Sequence, residues 1–132
     1  MNVIGIGTDI VETVRIADMI HRHGELFLDR VFTRQEIQYC SERKAATQHY
    51  AGRWAAKEAV MKALGTGWSR GVSWCDIEVR NEIGGRPLIV LSGGALEASR
   101  CLGIEQILIS ISHCRCHAVA YALALGSPLE DE

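Results

Sequence analysis

Residues 53–67, RWAAKEAVMKALGTG, decide how the whole chain is read. From Trp54 to Leu64 the run is alanine-rich and holds neither glycine nor proline, a composition that favours helix, and Gly65 stands where a glycine commonly ends one. At about 100° per residue, Glu58 falls between Trp54 and Met61 on one side and Ala51 and Ala55 on the other, with Lys62 one turn further on. The opposite face carries Val60 and Leu64 beside Arg53 and Lys57, so the helix is apolar nearly all round and is expected to be largely covered. A carboxylate on a covered helix needs a partner. One reading makes Glu58 and Lys62 an i,i+4 ion pair at a partly exposed edge, worth about 0.2–0.5 kcal/mol. The other brings a second acid from elsewhere in the chain alongside Glu58.

Working outward toward the N-terminus, VIGIGTDIV (Val3 to Val11) reads as a buried strand in which Val3, Gly5, Gly7, Asp9 and Val11 share one face. Asp9 is the single ionisable group in that run. GxGxD lacks the third glycine and the strand–turn–helix context of a dinucleotide fingerprint, so the glycines are expected to admit a closely approaching backbone or ligand. Thr13 to Gly24 has the pattern of an amphipathic surface helix, with Thr13 as its cap and Gly24 as its end. Thr33-Arg34-Gln35-Glu36 is a capping box opening a helix from Arg34 to about Arg43, and the central helix begins near Gln48.

Beyond Gly67 the texture changes to strands. Trp74 to Arg80 and Leu88 to Leu91 flank an IGGRP turn as a hairpin, Ala95 to Leu102 forms a short helix, and Gln106 to His113 pairs with His117 to Leu125 across Cys114-Arg115-Cys116. The outline β-α-α-α-β-β-α-β-β predicts an α+β fold in which an antiparallel sheet packs against the long helix. A chain of 132 residues with 48% hydrophobic content can bury one core, so a single domain over 1–132 is expected.

Composition narrows the function class. Net charge is −2, which implies no nucleic-acid partner, although residues 15–62 carry nine Lys/Arg against six Asp/Glu and offer a modestly positive surface for an acidic partner. Apolar runs such as Ala118 to Leu125 are too short to span a bilayer and no signal-peptide pattern opens the chain, so a cytoplasmic protein is expected. Five cysteines, an odd number without a CxxC pair, read as reduced and mostly packed thiols rather than a disulfide framework. The segment His113-Cys114-Arg115-Cys116-His117 is a poor zinc site, because five consecutive residues cannot easily supply four tetrahedral ligands.

If Asp9 and Glu58 converge, they cannot both stay ionised without a cation, and Mg²⁺ is commonly held by one or two carboxylates, waters and substrate phosphates. Lys62 is then placed to meet a phosphate oxygen, and Gly65-Thr66-Gly67 offers backbone N–H groups free of side chains, although the segment is not a P-loop. Residues alone thus point to a Mg²⁺-dependent site for a phosphate ester. The competing class is a non-catalytic nucleotide- or carrier-protein-binding module in which Asp9 and Glu58 are paired core acids.

Five blocks in order, GIGTDIVE with Arg15 following, RVFTRQE, WAAKEAVMKALGTG, GGRP with LSG, and ISISH, resemble the small-type 4′-phosphopantetheinyl transferase family of holo-acyl-carrier-protein synthases. The resemblance spans nearly the whole chain. It implies transfer of the 4′-phosphopantetheine group from coenzyme A to a serine of apo-acyl-carrier protein, with release of adenosine 3′,5′-bisphosphate, in the service of fatty acid biosynthesis. It further implies Asp9 and Glu58 as magnesium ligands and Lys62 beside the pyrophosphate. Arg53, Gly65, Gly67, Pro87 and His113 would contact coenzyme A. Acyl-carrier proteins are acidic, so Arg15 and Arg22, with Met19 as an apolar contact, form the expected docking face. The family also implies a homotrimer with coenzyme A bound between subunits. The strand Ile107 to Ile111, apolar on both faces, either packs across that axis or lies central in the sheet.

Overall fold

The computed structural model describes residues 1–66 and 71–129. The elements run β1 (Asn2–Glu12), α1 (Thr13–His23), α2 (Glu25–Val31), α3 (Arg34–Ser41), α4 (Ala46–Leu64), a 3-10 turn (Trp74–Asp76), β2 (Ile77–Asn81), β3 (Pro87–Leu91), α5 (Gly93–Cys101), β4 (Ile104–His113) and β5 (His117–Gly126). Antiparallel strands in the order β1-β5-β4 make the main sheet, and β2-β3 form a separate hairpin. The expected α+β architecture, with the long helix against the antiparallel sheet, is what the chain adopts.

The sheet's two faces differ in kind. Toward α4 it presents the rows Gly5–Ala124–Ile107, Gly7–Ala122–Ile109, Asp9–Ala120–Ile111 and Val11–Ala118–His113. Alanine at every second position of β5, all at most 1% exposed, leaves room for a helix to lie close. Gly5 and Gly7 take the contact to its limit: a Cβ on Gly7 would stand 1.9 Å from the carbonyl oxygen of Ala59, and one on Gly5 2.1 Å from that of Ala63. The closely approaching backbone that GxGxD anticipates is therefore α4 itself. The other face carries Ile6, Ile10 and Tyr121, each more than half exposed.

Several expectations are corrected. A β-bulge between Val3 and Gly5 turns Val3 away from the shared face, leaving it 61% exposed. Thr13 does not cap α1: it is the helix's first residue, with its Oγ1 buried without a hydrogen-bond partner, and Glu12 takes the N-cap position without a side-chain capping bond. The seven-residue α2 was not expected; Gly24, at φ 52°, breaks the chain before a segment too short to show a helical period. Trp74 to Asp76 is a 3-10 turn instead of strand, because Ser73 and Asp76 cap each other. β5 is the central strand and β4 an edge, which removes the central-strand reading of Ile107 to Ile111. Three of the five cysteines, Cys101, Cys114 and Cys116, are exposed rather than packed.

A buried ion pair braces α4 from behind. Lys57, wholly buried, places its Nζ 2.8 Å from Glu36 Oε1 and donates to the carbonyls of Trp74 at 3.1 Å and Ile77 at 2.5 Å. Glu36 also accepts from the backbone N–H groups of Thr33 and Val79, both at 2.9 Å. Every polar atom in this pair is satisfied, the condition under which such a pair is tolerated in a core. It ties α3, α4, the 3-10 turn and β2 together.

Candidate active site

Asp9 and Glu58 lie close enough for the charge of Asp9 to act on the Glu58 carboxyl. Asp9 lies on the α4-facing side of β1, two residues along from Gly7, and the glycines that let α4 descend also set its depth. Lys62 Nζ, at 3.2 Å from Asp9 Oδ1, also donates to the Thr8 carbonyl at 2.8 Å. Lys62 thus pairs across to the strand, and the i,i+4 reading with Glu58 is replaced. The Glu58 carboxyl is pushed above the ordinary glutamate range, first by burial and then by the negative charge of Asp9, with Lys62 and Arg15 opposing. Two acids that repel each other in a partly desolvated corner suit a hard divalent cation with few protein ligands and retained waters. Among the described residues no cluster of three or more His, Cys, Asp or Glu is placed to hold a metal, so any ion here takes the rest of its shell from water and substrate.

Arg53, Pro87 and His113 also come together, but elsewhere. They line a cavity of about 200 Å³ with Tyr39, His49, Gly52, Asn81, Gly85 and Ile111. Arg53 is 5% exposed; its Nη2 donates to Asn81 Oδ1 at 2.8 Å, while its Nε is buried without a hydrogen-bond partner. The guanidinium lies 4.0 Å from the centroid of the Tyr39 ring, which also carries Arg43 at 3.2 Å. His113 contacts Gln48 Oε1 through Nδ1 at 3.2 Å and packs edge-on to His49 at 4.9 Å. Burial and the neighbouring His113, Arg43 and Arg53 hold His49 below the ordinary imidazole range. A basic, aromatic cavity with a spare buried donor is built for an anion beside a flat ring.

These two clusters flank α4. The row Asp9–Ala120–Ile111 separates them by two strand spacings, about 10 Å, with the helix lying over the gap. On the helix itself Arg53 and Glu58 are about 140° apart. Gly65 ends α4 in the left-handed conformation at φ 73°, its N–H bonded to the Lys62 carbonyl, and is not part of the Arg53 cavity. Gly67 lies outside the described residues. A larger cleft of about 490 Å³ between β3, α5 and β4 holds none of the expected site residues.

On α1, Arg15 is exposed and Arg22 is paired with Asp18 at 3.1 Å on the surface. Met19 lines an apolar groove of about 350 Å³ with His23, Leu26, Phe27, Arg30, Val31, Trp54 and Trp74. Trp54 stacks between Phe27 and Trp74 at 5.9 and 4.4 Å.

Sequence reasoning missed Tyr39, His49 and Asn81 as wall residues of the Arg53 cavity, and missed Lys57 as the brace beneath the site. Tyr39 and His49 come from α3 and from three residues N-terminal to Gly52, and no motif spacing links them. For Lys57 a signal existed: the N3 glutamate of the capping box, Glu36, is an acid that burial obliges to find a cation.

The profile of the 4′-phosphopantetheinyl transferase superfamily matches residues 5–122, and the chain belongs to that superfamily. Within it the chain groups with the holo-[acyl-carrier-protein] synthases. Those of Protochlamydia amoebophila and Koribacter versatilis are each 48% identical to it, over 91% and 89% of this chain and 96% and 94% of theirs. The crystal structure of the Neisseria meningitidis synthase superposes with a TM-score of 0.86 at 30% identity, covering 94% of this chain and 99% of that one. The Helicobacter pylori synthase, solved in complex with coenzyme A, gives 0.81 at 33% identity over 91% and 99%.

Proposed function

We propose that this chain, as one domain over residues 1–132, moves the 4′-phosphopantetheine group of coenzyme A onto a serine of apo-acyl-carrier protein. Adenosine 3′,5′-bisphosphate leaves. The observation that carries the reading is the convergence of Asp9 and Glu58 beneath Lys62, in a family whose members include coenzyme A complexes.

Asp9 and Glu58 fit a divalent cation, Mg²⁺ by their all-oxygen character. When bound there, such an ion supplies Lewis acidity at the pyrophosphate under attack. Lys62, half exposed, keeps one donor free to neutralise charge on the departing bisphosphate. Glu58 or an ordered water takes the proton of the incoming serine hydroxyl. On the far side of α4, Arg53 with its unpartnered Nε, Pro87 and His113 bind the nucleotide's anionic end.

One substrate needs both clusters, and in one chain α4 stands between them. A homotrimer resolves this if the Asp9 edge of one copy faces the Arg53 edge of the next. The outward sheet face of Ile6, Ile10 and Tyr121 supplies apolar surface for such an assembly. The acidic carrier docks on α1 through Arg15 and Arg22, with Met19 and the groove beneath it receiving an apolar side chain. A cytoplasmic setting suits these substrates; among the described residues no helix is long and apolar enough to cross a membrane.

Mass spectrometry of apo-acyl-carrier protein incubated with this protein, coenzyme A and Mg²⁺ tests the reading. The carrier should gain an arm of ~340 Da, and EDTA should stop the gain. A carrier that stays in the apo form with fresh protein and excess Mg²⁺ would leave only the binding-module alternative.

A further inference from the structure

The β4–β5 turn carries chemistry that the transfer reaction does not use. Cys114 and Cys116 are both exposed there, separated by the exposed Arg115. The last paired residues of the two strands are His113 and Ala118, and the Cys114 N–H donates to the His117 carbonyl at 2.9 Å, so Cys114 to His117 reverse the chain within four residues. A reversal that tight holds its first and third Cα atoms inside the roughly 4.4–6.8 Å span of a disulfide. The turn is also anchored: the Cys116 carbonyl accepts from the Thr13 N–H at 2.9 Å.

The nearby backbone N–H groups of Cys116 and His117 favour the thiolate of the exposed Cys114 and hold its pKa below the ordinary thiol value. Cys40 and Cys75 contrast with this pair. Cys40 is buried and its pKa pushed up to about 12, chiefly by burial, and Cys75 is raised for the same reason.

We propose that Cys114 and Cys116 form a redox-active dithiol, with Cys114 the attacking thiol and Cys116 the resolving one, oxidised by low-molecular-weight disulfides. The Cys114 thiolate attacks one sulfur of R–S–S–R, forming a mixed disulfide and expelling RS⁻, which takes up a proton. The Cys116 thiol then gives up its proton and attacks the Cys114 sulfur, closing the 114–116 disulfide and expelling the second RSH. Two protein thiols are oxidised and one small disulfide is reduced to two thiols.

The test uses the full chain with Cys101→Ser, because trypsin cleaves after Arg100 and Arg115 and would otherwise leave Cys101 and Cys114 on one peptide. After incubation with glutathione disulfide and alkylation of remaining thiols, the peptides 101–115 and 116–132 should stay joined and should separate on reduction. In a Cys116→Ser variant, one glutathione should instead remain attached to Cys114. With Cys114→Ser, glutathione addition at Cys116 should be slower by tenfold or more. Free, alkylated Cys114 and Cys116 after prolonged treatment would overturn the proposal, as would unchanged reactivity of Cys116 in the Cys114→Ser variant.

Discussion

The two edges of the main sheet make opposite choices about charge. At the β1 edge lie two carboxylates, Asp9 and Glu58, with the Lys62 ammonium bonded to Asp9, held where glycine lets the helix come down onto the strand. At the β4 edge they are guanidiniums and imidazoles around a tyrosine ring, with a buried donor left over. An acidic corner attracts a cation and a basic cavity attracts a phosphate. On the proposed function, a coenzyme carrying a pyrophosphate and a further phosphate would engage both clusters. The fold keeps them on opposite flanks of α4, which the proposed sharing of a site between copies would reconcile.

Mixing variants breaks or sharpens that comparison most directly. Glu58→Gln and Arg53→Ala should each cut transfer by about 10²–10³-fold while circular dichroism stays native. Refolded together, they should recover a measurable share of activity, because some junctions then pair an intact Glu58 with an intact Arg53. No recovery in mixed oligomers would place both clusters' work within one chain.

The brace beneath the helix should respond differently. Glu36→Gln or Lys57→Met leaves one buried charge without its partner and should cost about 3–5 kcal/mol of stability, read by denaturant unfolding. Replacing both at once with apolar residues of similar volume should recover much of that loss, which marks the pair as structural support rather than chemistry.

Gly7→Ala should have a smaller effect on stability, about 1–3 kcal/mol, since the new methyl meets the Ala59 carbonyl and must push β1 from α4. It should cost activity at the Asp9 edge and leave nucleotide affinity at the Arg53 cavity nearly unchanged. Equal losses at both would show that the edges are not independent.

The smallest expected effect is a shift in titration. Because burial and then Asp9 raise the Glu58 carboxyl, Asp9→Asn should lower its midpoint toward the ordinary glutamate value, and Lys62→Met should raise it further, both measured by carboxyl-carbon NMR. In the metal-free protein Glu58 should titrate above an ordinary glutamate, and added Mg²⁺ should lower that midpoint, because a cation beside the two acids favours both carboxylates. A Glu58 midpoint unmoved by Asp9→Asn would mean the two acids do not sense each other.

Much of this was legible in the chain. The helix 54–64 followed from composition and a terminal glycine, and Asp9 and Glu58 stood out as acids in apolar runs, but the first run is an edge strand with only Gly7 and Val11 buried rather than the buried strand its composition suggests. α2 was not legible, being about two turns between Gly24 and a capping box. Nor was the role of Lys57, which on a helical wheel is indistinguishable from a lysine whose ammonium reaches water.

Local sequence determined which residues would be helix or strand and which acids would be costly to bury, because propensity, capping and period act over a few residues. Tertiary structure alone decided that Lys62 answers Asp9 rather than Glu58, that Lys57 and Glu36 close a buried pair, and that the acidic and basic clusters fall on opposite flanks of α4. Those outcomes depend on strand register and on the helix's distance from the sheet. Both are set by contacts between residues far apart in the chain, here glycine at positions 5 and 7 against the carbonyls of Ala63 and Ala59.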